Sequence, residues 1–189
     1  GPAFPNEDRS AELPGAMGAY VSEVMFWLYR PLTFMLWGGV FERFPRLKAM
    51  VVEGGTMFMV PSWLMLLDHN YTDIQFSAKL GDFRSHLSMA PSEYFARNCG
   101  IGASCVPRRD LDMRDQIGLK QIMWGSDFPH PEGTWPNTAQ YYQDTFKGFD
   151  VDDGRQILGG NAIEFYGLDR QYLDGLAAEI GPSSSIFNG

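Results

Sequence analysis

Asp127, His130 and Glu132 fall within one short stretch, GSDFPHPEGTWP (125–136), directly after the apolar run Ile122, Met123 and Trp124. Carboxylates and imidazoles are the side chains that move protons near neutral pH and that hold divalent cations. Prolines at 129, 131 and 136 stiffen this segment, because each ring fixes its own φ and restricts the residue before it. A second cluster, Glu53-Gly54-Gly55, follows another apolar run at 48–52. The plainest reading of Asp127 is a turn cap, the commonest task of Asp after a strand. His130 can instead face a pocket mouth or shape the loop, and Glu132 reads as a salt-bridged or solvated carboxylate.

Elements able to position such groups can be read along the chain. Residues 1–15, rich in Pro, Gly and charge, read as a loose arm. Residues 20–37 are strongly apolar, with Glu23 and Arg30 as their only charges, and predict a buried helix that Pro31 kinks or divides. VFERFP (40–45) predicts a short amphipathic turn, and 48–52 a strand buried on both faces. A helix is expected over 57–68, with Pro61 in its first turn. YFARNCGIGASC (94–105) holds a second strand candidate, interrupted by Gly100 and Gly102; alternate positions there would bring Arg97 or Asn98 to an anionic group. Residues 108–117 predict a helix closed by Gly118, and 121–124 a third strand. Asp152 is expected to cap a helix over 152–158 that Gly159-Gly160 stops, and 162–166 adds a turn. The tail after Gly181 (GPSSSIFNG) reads as mobile. Strand, helix, strand, helix, strand, helix implies parallel β/α units with right-handed crossovers, whose chemistry sits beyond the C-terminal ends of the strands. Residues 16–180 form one such domain.

Composition narrows the classes. The 189 residues are 44% hydrophobic, enough for one packed core, and carry a net charge of −8. That balance argues against nucleic acid and anionic membrane as partners. No apolar stretch reaches the roughly 20 residues of a membrane span, and no secretion signal opens the chain. Cys99 and Cys105 make neither a disulfide framework nor a zinc cluster; reduced thiols in a cytoplasmic protein are expected. His69 and His86 read as surface or loop residues, and Met57, Met59, Trp63, Leu64 and Met65 as core packing. Gly100-Ile101-Gly102 fails as a nucleotide-binding fingerprint, because Cys105 stands where the third Gly belongs.

GVFERFPRLKAMVVEGG (39–55), IMWGSDFPHPEGTWPN (122–137) and ILGGNAIEFYGLD (157–169) resemble the C-terminal half of the amidohydrolase-2 family. Its members are metal-dependent TIM-barrel hydrolases and decarboxylases related to aminocarboxymuconate-semialdehyde decarboxylase. The resemblance covers about 38–169. It implies an α/β fold, the C-terminal part of a (β/α)8 barrel comprising about strands 6–8 with flanking helices. It implies that Asp127 ends strand 8 and binds or faces one divalent metal, zinc foremost, with manganese or magnesium as alternatives. Beside such an ion a carboxylate accepts a proton from metal-bound water, whose pKa the metal lowers.

The departures carry weight as well. Where metal-dependent members have H-G-G, this chain has Glu53-Gly54-Gly55, and the family's H-x-H pair and strand 5 ligand have no counterpart here. Glu53 is thus expected as a ligand, an acid or base in the pocket, or a partner of Arg97. With His130 and Arg97 it is assigned to a small-molecule substrate. A complete barrel needs about 250 residues, so the chain reads as a distal half that is inactive alone. It would associate with itself or with a missing N-terminal half through exposed edges. Two functions follow: part of a hydrolase or non-oxidative decarboxylase of a small carboxylated or cyclic substrate, or a non-catalytic half-barrel module.

Overall fold

Three short strands run parallel in the order β1-β2-β3: Ala49–Val52 (β1), Cys99–Ser104 (β2) and Ile122–Gly125 (β3). The computed structural model describes residues 14–54, 57–73 and 78–188, so the expected arm is almost wholly outside the described residues, as is Gly55. Ala49 pairs with Cys99 and Val52 with Gly102, while Ile101 pairs with Ile122 and Ser104 with Gly125. β1 and β3 fall within a residue of the apolar runs that predicted them. The chain is an α/β protein with a small parallel sheet.

The region around Arg97 differs from expectation. Pro91–Asn98 is a helix (α4), and the strand begins only at Cys99. Pro91 suits a first helical position, and the Glu93 carboxylate accepts the Ala90 N–H at 2.8 Å. Tyr94, Phe95 and Asn98 are the buried face. Gly100 and Gly102 do not interrupt β2. A Cβ on Gly100 would stand 2.9 Å from Met123 Cε and 3.2 Å from Met50 Sδ and a Phe165 ring carbon, so the glycine leaves room for three side chains to pack on the strand.

Ala16–Trp37 (α1) continues through Pro31, Val40–Arg43 (α2) is the predicted amphipathic turn, and Met59–Thr72 (α3) follows β1. The segment expected as one helix after β2 is two single turns, Arg108–Leu111 (α5) and Arg114–Ile117 (α6), ended by Gly118 at φ 103°. Thr138–Phe146 (α7) leads to Val151–Arg155 (α8), which Asp150 caps rather than Asp152: its carboxylate accepts from the N–H groups of Asp152 and Asp153. Gly159-Gly160 do not stop the helix. A wider π turn, Gln156–Gly160, carries it into Asn161–Tyr166 (α9). Arg170–Ile180 (α10), capped by Asp169, was not predicted and buries no side chain.

The tail is also ordered differently from expectation. Ser184–Phe187 forms a 3-10 turn whose Ile186 and Phe187 are buried, and the Phe187 ring lies 6.0 Å from that of Phe146. Among the described residues one apolar core joins α1, α3 and α4 to the sheet, with Leu36, Phe41, Val60, Phe95, Ile101 and Ile122 almost fully enclosed. Met57 and Leu64 belong to it, but Met65 is 72% exposed, so the apolar stripe is only partly core. No described helix is long and apolar enough to cross a membrane.

Candidate active site at the strand ends

Each strand is followed by a residue other than glycine in the left-handed region. Glu53 (φ 56°) comes directly after β1, Cys105 (φ 52°) directly after β2, and Asp127 (φ 61°) two residues after β3. Such residues are uncommon, cost on the order of 1–3 kcal/mol each, and cluster at functional sites. All three stand at the C-terminal edge of a parallel sheet, where β/α folds place their chemistry. The parallel register puts Glu53 level with Ala103 and Trp124. Glu53 and Asp127 therefore flank β2, about 10 Å apart laterally by strand spacing.

The turn after β3 is held by its own backbone. The N–H of Thr134 donates to Ser126 O at 2.9 Å, that of His130 to Asp127 O at 2.7 Å and that of Gly133 to His130 O at 3.0 Å. The Ser126 hydroxyl accepts the Phe128 N–H at 3.3 Å. A Cβ on Gly133 would stand 2.8 Å from Ser126 O and 3.0 Å from the carbonyl oxygens of Asp127 and His130, so only glycine closes this loop.

On that frame the three titratable side chains meet. His130 Nδ1 lies 3.3 Å from Asp127 Oδ2 and 3.0 Å from Glu132 Oε2. One ligand-type atom from each lies within 4.8 Å of the others. The Asp127 side chain is 16% exposed, against 56% for His130 and 69% for Glu132, so the cluster opens outward from a sheltered carboxylate. Beneath it, Cys105 Sγ approaches Glu132 O at 3.6 Å and Ser126 O at 4.0 Å. Burial first, and then the Asp127 carboxylate, push the Cys105 thiol above its ordinary pKa, so it stays a neutral donor. Both cysteines are free, Cys99 buried and Cys105 only partly so.

Not all the predicted residues converge. Arg97 sits on α4, ahead of β2, and the six residues of β2 separate it from the strand ends by about 20 Å. Its guanidinium donates to Phe41 O at 2.7 Å and Asn98 Oδ1 at 2.8 Å and lies over the Tyr94 ring. It is a structural clamp between α2 and α4, and it does not pair with Glu53. Its neighbour Asn98 is buried, donating to Pro45 O at 2.9 Å and Leu47 O at 2.7 Å. Glu53 is exposed and makes no ion pair among the described residues. His69 and His86 are remote, against Asp73 and Trp37 O respectively. Sequence reasoning passed over Cys105, although its place just after a strand was a usable signal once the strand's end was known.

The profile of the amidohydrolase family matches residues 27–168, and the chain belongs to that family. It is 29% identical over 141 residues to 2-amino-3-carboxymuconate-6-semialdehyde decarboxylase of Dictyostelium discoideum, covering 74% of this chain and 36% of that protein. Among solved structures, 5-carboxyvanillate decarboxylase from Sphingomonas paucimobilis is similar at TM-score 0.57 and 28% identity, over 71% of this chain and 38% of that one. A dihydroxybenzoic acid decarboxylase from Polaromonas, solved with bound manganese and the inhibitor 2-nitroresorcinol, shares the fold at TM-score 0.53 and 22% identity, over 71% and 38%. The chain thus spans little more than a third of the length of these relatives.

Proposed function

We propose that this chain is the C-terminal portion of a metal-dependent amidohydrolase-like enzyme that removes a carboxyl group, without oxidation, from a small carboxylated cyclic substrate. The observation that carries this reading is Asp127, held in a strained backbone conformation at the end of β3 with His130 and Glu132 against it. The decarboxylase names of the relatives favour decarboxylation over hydrolysis. On this reading β1, β2 and β3 are about strands 6–8 of a (β/α)8 barrel. The isolated chain is inactive, because the upstream strands would supply the other walls of the site.

The donor set suits a divalent ion. An imidazole nitrogen with carboxylate oxygens fits zinc, and the oxygens also suit manganese or magnesium. Such an ion, when bound, polarises a substrate oxygen and can lower the pKa of a water. Asp127 would hold the ion through one carboxylate oxygen and accept or return a proton at the other. Glu53, exposed across the strand ends, is the second carboxylate in reach of a substrate seated over β2. The complete protein carrying Asp127→Asn should keep its fold and lose turnover by at least about a hundredfold; undiminished turnover in that variant overturns the reading.

A second reading rests on a different observation. Among the described residues β1 and β3 each pair on one side only, and an apolar recess of about 530 Å³ lies between α1 and α3, beside exposed Phe26 and Leu66. A half-barrel that assembles with itself or with a separate chain would cover these surfaces. Sedimentation of the 189-residue chain, read together with turnover of the complete protein, separates the two: a stable oligomer with no metal-dependent turnover even in the complete protein supports the module, and a monomer opposes it.

A further inference from the structure

Asp110, on α5, is the one fully enclosed carboxylate among the described residues, with a side chain 0% exposed. Its Oδ2 accepts the N–H of Met57, itself enclosed, at 3.1 Å. Its Oδ1 has only a 3.4 Å contact with Arg109, whose side chain is 75% exposed. Taking a carboxylate out of water is costly, and apolar side chains in the place of buried charges are often no less stable. A charge kept in such surroundings points to a task other than packing.

That task is legible in what α5 joins. The bond to Met57 crosses from the segment after β2 to the segment after β1, 53 residues earlier. α3 has no side-chain cap at Phe58, so the carboxylate takes an N–H just ahead of that helix, where negative charge is favoured. From the same turn Arg108 donates to Lys147 O at 2.7 Å and Thr145 O at 3.4 Å, at the end of α7. One short turn thus ties together the segments that follow all three strands. After β1 the chain is held at two points, Met57 by Asp110 and Gly54 by its N–H to Gly102 O at 3.0 Å. Glu53 stands directly before Gly54 with φ 56°. Such a conformation persists only where its surroundings over-determine it. Without the Met57 tie the segment could relax by rotation at Glu53 and carry its exposed carboxylate away from the strand ends.

We infer that Asp110 is a positioning residue for the site: by holding Met57 it keeps Glu53 in its left-handed conformation, across β2 from Asp127. The inference rests on the decarboxylase reading above, in which Glu53 reaches the substrate, and adds the residue that sets its pose. Asp110 acts only through Glu53, because its own carboxylate is shut away from any ligand.

The test is a double-mutant cycle on turnover of the complete protein, with folding checked by circular dichroism. Asp110→Ala should lower kcat at least about tenfold and leave KM within about twofold, the mark of misplaced rather than missing binding groups. Glu53→Gln should lower kcat as well. In the Glu53→Gln background Asp110→Ala should then cost less than about a further twofold, because the group it positions is already gone. Asp110→Asn, whose amide oxygen can still accept the Met57 N–H, should keep kcat within about threefold of the parent. Should the alanine variant not fold, Asp110→Ser, whose hydroxyl falls short of Met57, takes its place in the cycle. An equal loss from Asp110→Ala in both backgrounds overturns the inference, since the carboxylate then serves the fold alone. Full kcat in Asp110→Ala, or in Glu53→Gln, overturns it too. None of these outcomes touches the decarboxylase reading, which falls only if Asp127→Asn keeps full turnover.

Discussion

Asn161 Nδ2 donates to the carbonyl of Ile122, the first residue of β3, at 2.7 Å, and to Leu119 O at the same distance. One buried amide on α9 thereby fixes where the site-bearing strand begins. Asn98 does the same before β1 through Pro45 O and Leu47 O. Replacing Asn161 by Ala strands two carbonyls in the core, and unfolding in urea should show a loss of about 2–4 kcal/mol with an unchanged slope. A loss under about 0.5 kcal/mol would refute this anchoring role.

Asp127 separates backbone from side-chain effects. Asn tolerates the left-handed region nearly as well as Asp, so Asp127→Asn should unfold within about 0.5 kcal/mol of the parent. Asp127→Val, β-branched in the same conformation, should cost about 2 kcal/mol. Equal melting of the two variants would show that φ at 127 is not held by its surroundings.

The two thiols should differ. Burial pushes Cys99 up to about 12, whereas Cys105 is raised but partly open. At pH 8 a disulfide reagent should modify Cys105 first, more slowly than a free thiol, and reach Cys99 only as the protein unfolds. Because the folded pKa of Cys99 is raised, its stabilising effect is whole below the ordinary thiol range and fades as pH climbs from there toward 12. Fast modification of both thiols in the native state would contradict the burial of β2.

Glu42 gives the acid-side counterpart. Hydrogen bonds from Tyr94 and Ser88 lower its pKa. A lowered folded pKa adds stability that is present above the ordinary carboxylate range and is lost as pH falls through the folded value. The difference in urea midpoint between the parent and Glu42→Gln should therefore be largest near pH 6 and shrink toward pH 3. A difference independent of pH would mean that the carboxylate charge plays no part.

Legibility in the sequence followed how local each feature is. β1 and β3 were readable as apolar runs between Gly and Pro, and the Asp127–His130–Glu132 turn lies in six consecutive residues stiffened by proline. Arg97 was misplaced because helix and strand compete in 94–105, and the choice rests on Pro91, on Glu93 reaching back to Ala90, and on packing of Tyr94 and Phe95, which only the fold reveals. Ile186 and Phe187 are two apolar residues in a polar tail; their burial depends on Phe146, forty residues earlier in the chain. Family and fold class were legible from whole motifs, since three blocks spread over more than a hundred residues matched together.

The left-handed conformations at Glu53, Cys105 and Asp127 bear on how this protein can be improved in the laboratory. Random mutagenesis scored by heat resistance would enrich Gly or Asn at these positions, because both relax the backbone there. The hardiest clones would then have lost the carboxylates and thiol that line the strand ends. A library scored for ion retention would keep them and find its gains in surface helices such as α10. Which of the two populations a selection returns would show whether robustness and chemistry compete at the same three residues.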